Sequence, residues 1–142
     1  GRRLRCLNIV DDFTKECLAI EVDTSLPGGR VVNVLERLAE IRGLPTSITV
    51  DNGPEFIGKA LDAWAYERQL TLRFIEPGKP QQNAYIERFN RSVRYDWLAQ
   101  ELFDTIDEVQ DQATRWMWHY NHERPNMALG GITPNQRLAM AA

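Results

Sequence analysis

The sequence predicts an α/β fold with a central mixed sheet flanked by helices. Short β-rich runs alternate with helical periodicity in the order ββ, α, β, α, β, and only helices follow. Turn and stop residues separate the runs: Asp11-Asp12, Pro27-Gly28-Gly29, Gly43 with Pro45, Asn52-Gly53-Pro54 and Pro77-Gly78-Lys79-Pro80. A chain of 142 residues, 43% hydrophobic and 26% charged, is one soluble domain with one sizeable core.

Leu4–Val10 and Cys17–Val22 are apolar runs joined by a short polar link, which predicts an antiparallel hairpin. Val31, Val34, Leu35, Leu38 and Ile41 fall on one helical face, and Gly43 with Pro45 ends that helix. Thr46–Val50 is a short strand with Asp51 at its carboxyl end. Phe56–Gln69 reads as a helix with Leu61, Trp64 and Ala65 inward, and Leu70–Ile75 as a further strand.

Gln81–Gln100 contains no Gly or Pro and predicts a long helix. Ile86, Phe89, Val93 and Trp97 form its apolar face. Asn83, Glu87, Asn90, Arg91 and Arg94 form the opposite one. Thr105-Ile-Asp-Glu108 is a capping box opening a helix to about Tyr120, with Ile106, Val109, Ala113, Trp116, Met117 and Tyr120 inward. Thr133-Pro134 starts a short final helix with proline at its first position.

Composition narrows the function. No apolar run approaches the roughly 20 residues of a membrane span. Cys6 and Cys17 fit no zinc spacing, and nothing points to secretion, so they read as reduced, buried thiols of a cytoplasmic protein. His119 and His122 are too few and too late to form a separate metal site. The net charge of −3 argues, as an average, against a nucleic-acid partner. Its distribution is uneven. Glu101, Asp104, Asp107, Glu108 and Asp111 crowd one segment without a base, whereas Lys79, Arg88, Arg91 and Arg94 surround Glu87 alone.

Asp51 and Glu87 are the candidate catalytic and metal-ligating residues. Thirty-five residues separate them, a spacing that means little alone among 20 acidic residues. Context adds weight. A carboxylate at the carboxyl end of a central strand emerges in the crevice where α/β folds bind ligands. Asp-Asn-Gly-Pro is equally a good loop sequence. Glu87, with Arg91 four residues on, is equally a surface glutamate in a pair worth about 0.3–0.5 kcal/mol. If the two carboxylates face one crevice, they suit magnesium, which takes oxygen ligands and few protein contacts. Two such ions, about 3.5–4 Å apart, serve phosphodiester exchange. Lys79, Arg88, Arg91 and Arg94 are then candidate phosphate-binding residues. Gln82 and Asn83 offer neutral hydrogen bonds to a DNA strand end.

Four segments in order give these residues a family context. They are Leu7-Asn-Ile-Val-Asp-Asp-Phe-Thr-Lys-Glu16, Asp51-Asn-Gly-Pro-Glu-Phe56, Lys79-Pro-Gln-Gln-Asn-Ala-Tyr-Ile-Glu-Arg-Phe-Asn90 and Tyr120-Asn-His-Glu-Arg-Pro-Asn-Met-Ala-Leu-Gly-Gly-Ile-Thr-Pro134. Together they resemble the catalytic core of bacterial insertion-sequence transposases, the branch nearest retroviral integrases. The resemblance implies a ribonuclease H-like fold and a D-D-35-E triad in which Asp51 is the second acid and Glu87 the last. It implies Mg²⁺ or Mn²⁺ as cofactor, DNA as partner (element ends and target) and a homodimer or higher multimer. Water would free a 3′-hydroxyl at the element end, and that hydroxyl would attack target DNA. The Tyr120–Pro134 segment matches the family's C-terminal cap.

One departure stands out. The family's first acid lies on a first strand upstream of Gly-Arg-Arg, and Leu4–Val10 matches its second strand. Asp11 and Asp12 match the turn after that strand. The chain is therefore expected to be an N-terminally truncated core over residues 1–142, inactive alone and without the family's helix-turn-helix region. A ribonuclease H-type nuclease and a non-catalytic DNA-binding or assembly module are the alternatives.

Overall fold

A computed structural model of the chain describes residues 4–50, 58–74, 84–94, 96 and 105–141. The chain divides into two compact units, Gly1–Thr24 with Phe89–Ala142, and Ser25–Arg88.

In the first unit the expected hairpin forms. β1 (Arg5–Val10) pairs antiparallel with β2 (Cys17–Asp23), Arg5 opposite Asp23 and Asn8 opposite Ile20, with a register shift between Ile9 and Val10. Both faces of the hairpin carry buried residues: Leu7, opposite Glu21, on one, and Ile20 and Val22, opposite Asn8 and Cys6, on the other. The connecting turn is built by Asp11, whose Oδ1 accepts the backbone N–H of Phe13 and Thr14 at 2.8 and 3.0 Å. Its own N–H donates to the Glu16 carbonyl at 2.9 Å. Asp12 accepts from Lys15 Nζ at 3.1 Å. Both aspartates are thus engaged in the turn.

α4 (Ile106–His122) packs on β2. Thr105 Oγ1 accepts the Glu108 N–H at 3.2 Å, the expected cap. Val109, Ala113 and Tyr120 are buried, while Ile106, Trp116 and Met117 are half-buried. Two amides on this helix meet the β2 backbone. Gln110 Oε1 accepts from Val22 N at 2.9 Å, and its Nε2 donates to the Ile20 carbonyl at 2.7 Å. Three turns later Asn121 Oδ1 accepts from Cys17 N, and its Nδ2 donates to the Cys17 carbonyl, both at 2.8 Å. The helix thereby supplies the hydrogen bonds that a further strand would give.

A single 3-10 turn, Met127–Leu129, follows, capped by Asn126 Oδ1 accepting the Ala128 N–H at 3.0 Å. It ends on Gly130 at φ 74°, a left-handed conformation that glycine adopts without strain. α5 (Pro134–Ala141) begins on the expected proline. A reciprocal pair closes its start: Thr133 Oγ1 accepts from Gln136 N at 3.2 Å, and Thr133 N donates to Gln136 Oε1 at 2.8 Å. The Arg137 guanidinium lies 4.4 Å from the Phe13 ring centroid, tying α5 to the hairpin turn.

In the second unit, α1 (Gly28–Arg42) packs on α2 (Lys59–Glu67). Val31, Val34 and Leu35 of α1 and Leu61, Trp64 and Ala65 of α2 are buried. Glu36 joins the two helices, accepting from Trp64 Nε1 and from Arg68 Nη2 at 2.7 Å. These bonds hold its carboxyl below the usual range. Ile41 corrects the expected inward face: it is 79% exposed. α1 has 15 residues and α2 only 9, so the last turn of α1 outruns the helix it packs on. Gly43, at φ 80° and ψ 176°, then ends α1 in a conformation that is essentially glycine's alone.

β3 (Ser47–Val50) pairs parallel with β4 (Thr71–Phe74), Ser47 opposite Thr71 and Val50 opposite Phe74. A parallel pair needs a crossover, and α2 lies between the two strands in sequence. The described strands therefore form one antiparallel and one parallel ladder, the two pairings that a mixed sheet combines. Among the described residues, no helix is long and apolar enough to cross a membrane.

Candidate functional site

α3 (Ala84–Val93) is the described part of the long helix expected over 81–100. Its amphipathicity is as read: Phe89 and Val93 are buried, while Glu87, Arg88, Asn90, Arg91 and Arg94 are exposed. Three aromatics hold the buried face. Phe89 meets Trp116 and Tyr120 edge-on, at centroid distances of 5.5 and 5.1 Å, and Trp116 stacks on Tyr120 at 5.2 Å. Burial of Phe89 turns the residues on the far side of the helix to solvent.

On that polar face Glu87 has no hydrogen-bond or ion-pair partner among the described residues. Arg88 lies over the Tyr85 ring, 5.9 Å from its centroid. Arg91 and Arg94 likewise have no ion-pair partner among the described residues. A carboxylate and three guanidiniums thus stand in solvent within about two helical turns.

β3 ends on the buried Val50, and Asp51 is the next residue. Asp51 lies outside the described residues, as do Lys79, Gln82 and Asn83. The structure places Glu87, Arg88 and Arg91 on α3, with Arg94 directly after it. Among the described residues, no group of three His, Cys, Asp or Glu side chains could hold a metal ion.

The remaining candidate ligands are committed elsewhere. Burial pushes the Cys6 thiol up to about 11 and raises Cys17 further, so neither supplies a thiolate. Glu16 is buried in the hairpin turn, where its carboxylate accepts from Thr14 Oγ1 at 2.9 Å. His119 Nδ1 lies 3.0 Å from Glu123 Oε1, and His122 Nδ1 lies 3.0 Å from the Trp118 carbonyl. Both histidines belong to the last turns of α4. Within the Tyr120–Pro134 segment, Asn121 bonds to β2 and Asn126 Nδ2 donates to Tyr120 Oη at 3.0 Å.

The Integrase core domain family matches residues 1–80, more than half of the chain, and a second Integrase core domain family matches residues 68–134. The chain belongs to the integrase core family. It is 44% identical over 139 residues to the insertion element IS407 uncharacterized 31.7 kDa protein of Burkholderia multivorans, covering 98% of this chain and 50% of that protein. It is 42% identical over 139 residues to the insertion element IS476 uncharacterized 39.2 kDa protein of Xanthomonas euvesicatoria, covering 98% of this chain and 40% of that protein. This integrase core thus spans about half the length, or less, of the curated relatives it matches.

Solved structures give the fold. The catalytic core domain of BIV integrase matches with a TM-score of 0.71 at 19% identity, covering 97% of this chain and 93% of that one. The HTLV-2 integrase catalytic core domain in complex with magnesium, in a trimeric form, matches with a TM-score of 0.65 at 15% identity, covering 94% and 91%. The fold is therefore ribonuclease H-like, as expected.

Three amides escaped the reading of the sequence. Gln110 and Asn121 lie among apolar positions of α4, and Asn8 interrupts the apolar run of β1. A polar side chain on an otherwise apolar face was the available signal.

Proposed function

We propose that this integrase core is the catalytic core of an insertion-element transposase, which cleaves the element's ends and transfers them into target DNA. The observation that carries the reading is Glu87: an exposed carboxylate without a partner among the described residues, on the helix face that also presents Arg91 and Arg94. The insertion-element origin of the curated relatives supports it.

Asp51 and Glu87 hold the divalent ion in this reading. The available donors fit it: Glu87 offers hard carboxylate oxygen, and both described thiols are buried and protonated. Magnesium or manganese, in a two-ion arrangement, would supply positive charge where a phosphodiester exchanges bonds. Arg88, Arg91, Arg94 and Lys79 neutralise backbone phosphates. Gln82 and Asn83 orient the strand end by hydrogen bonds. The protein acts on DNA in the bacterial cytoplasm as a homodimer or higher multimer.

Strand transfer on terminal-repeat DNA by the full-length parent tests the reading. Wild-type protein joins ends only with Mg²⁺ or Mn²⁺ present, and Asp51→Asn and Glu87→Gln each abolish joining. Unchanged joining by either variant would remove that residue from the site. Cleavage of RNA–DNA hybrid without strand transfer would favour a ribonuclease instead.

A further inference from the structure

Asn8 does not belong where it stands on packing grounds. Leu7 is buried at 2% exposure, and Asn8 shares the other face of β1 with Cys6 and Val10. Asn8 Nδ2 donates to Asn90 Oδ1 of α3 at 2.7 Å. Asn8 Oδ1 is buried and accepts no hydrogen bond among the described residues. Reversing both amides does not remove the deficit. Asn90 Nδ2 would then donate to Asn8 Oδ1, and Asn8 Nδ2 would become the bare atom. In either assignment one buried polar atom of Asn8 has no partner among the described residues, which is rare. A leucine there would carry no such cost. A local rule broken in this way marks a position where geometry outweighs stability.

What the amide holds is α3. Apolar contacts such as those of Phe89 and Val93 are non-directional and leave some freedom of sliding and rotation. A hydrogen bond has a narrow range of distance and angle. Asn90 follows Glu87 by three residues and precedes Arg94 by four, so the three side chains lie in one row on the exposed face. Glu87 stands about 4.5 Å along the helix from Asn90.

We propose that Asn8 and Asn90 form a positioning clasp, which sets the rotation and height of α3 and thereby the aim of Glu87 and Arg94. Neither amide is a catalytic residue; both act through the row they hold. The clasp rests on the reading of Glu87 as a metal ligand.

The test compares Asn8→Leu, Asn90→Leu and the double variant in the full-length parent, by steady-state strand transfer, Mg²⁺ dependence of the rate, and thermal unfolding. Asn8→Leu leaves KM for DNA and the melting temperature unchanged. Its kcat falls by about tenfold to a hundredfold, the scale on which a displacement of about 1 Å acts. Half-saturating Mg²⁺ rises with it. The double variant loses no more than the worse single, because either substitution already opens the clasp.

Three results overturn the proposal: a kcat within about twofold of wild type for Asn8→Leu, multiplying losses in the double variant, or a rate loss matched by loss of folded protein. Glu87→Gln, assayed alongside, separates two failures. If it retains full activity, the metal-ligand reading falls and the clasp with it. If it is inactive while Asn8→Leu is fully active, the clasp falls alone.

Discussion

Along β2, the backbone N–H groups of Cys17 and Val22 and the carbonyls of Cys17 and Ile20 are taken up by Asn121 and Gln110 of α4. Along β3, four residues pair with β4, and only Val50 is buried. The hairpin is closed at its edge by side chains from a helix distant in sequence. The parallel ladder is short and lightly covered, and it leads directly into Asp51. On α3 the same contrast appears within one helix: Phe89 and Val93 anchor it, and Glu87, Arg91 and Arg94 stay in water. Among the described residues, the buried polar side chains of Thr14, Glu16, Asn121, Asn126 and Thr133 serve architecture and are hydrogen-bonded. Glu87, Arg91 and Arg94 are exposed and have no ion-pair partner among the described residues.

The largest expected effect separates chemistry from stability. Glu87→Gln in the full-length parent lowers strand transfer by about a thousandfold or more. Its unfolding free energy stays within about 0.5 kcal/mol of wild type, as for other exposed substitutions. Parallel rate assays and urea unfolding check both halves. An equal loss in each would erase the distinction between anchoring and chemical faces of α3.

Asn121→Ala acts oppositely. It leaves the Cys17 N–H and carbonyl without their partners in a buried position, which costs about 2–6 kcal/mol at about 1–3 kcal/mol per group. Urea unfolding measures it, and the folded fraction keeps its metal dependence. A loss under about 0.5 kcal/mol would show that water replaces the amide and that the staple is dispensable. Thr105→Ala is smaller, about 1 kcal/mol for loss of the α4 cap. It reads how far the hairpin depends on the helix that closes it.

Glu36 gives the smallest effect and the only one set by pH. Its bonds to Trp64 and Arg68 depress its carboxyl in the folded state. The stabilisation is therefore present above the ordinary carboxylate range and lost as pH falls through the lowered value. Acid unfolding of wild type against Glu36→Gln checks the sign: the two converge at low pH and separate toward neutrality.

Much of this could be read directly from residue order, where causes are local. The capping pair Thr105–Glu108, Pro134 at a helix start and Gly43 at a helix end act within four residues. The 3.6-residue period put Phe89 and Val93 on one side of α3 and Glu87 and Arg91 on the other. The end of β3 at Val50 followed from the turn-forming residue types after it in sequence, and the ordered motifs pointed to the family.

Tertiary structure alone decided the rest. Cys17 and Asn121 are 104 residues apart, Val22 and Gln110 are 88 apart, and Asn8 and Asn90 are 82 apart. No period or turn rule links such pairs, because they depend on which faces meet and at what height. Ile41 shows the same limit from the other side. Its spacing marks it as inward, yet burial needs a neighbour to reach it, and α2 ends too soon. Periodicity assigns a residue to a face; only packing decides whether that face is covered.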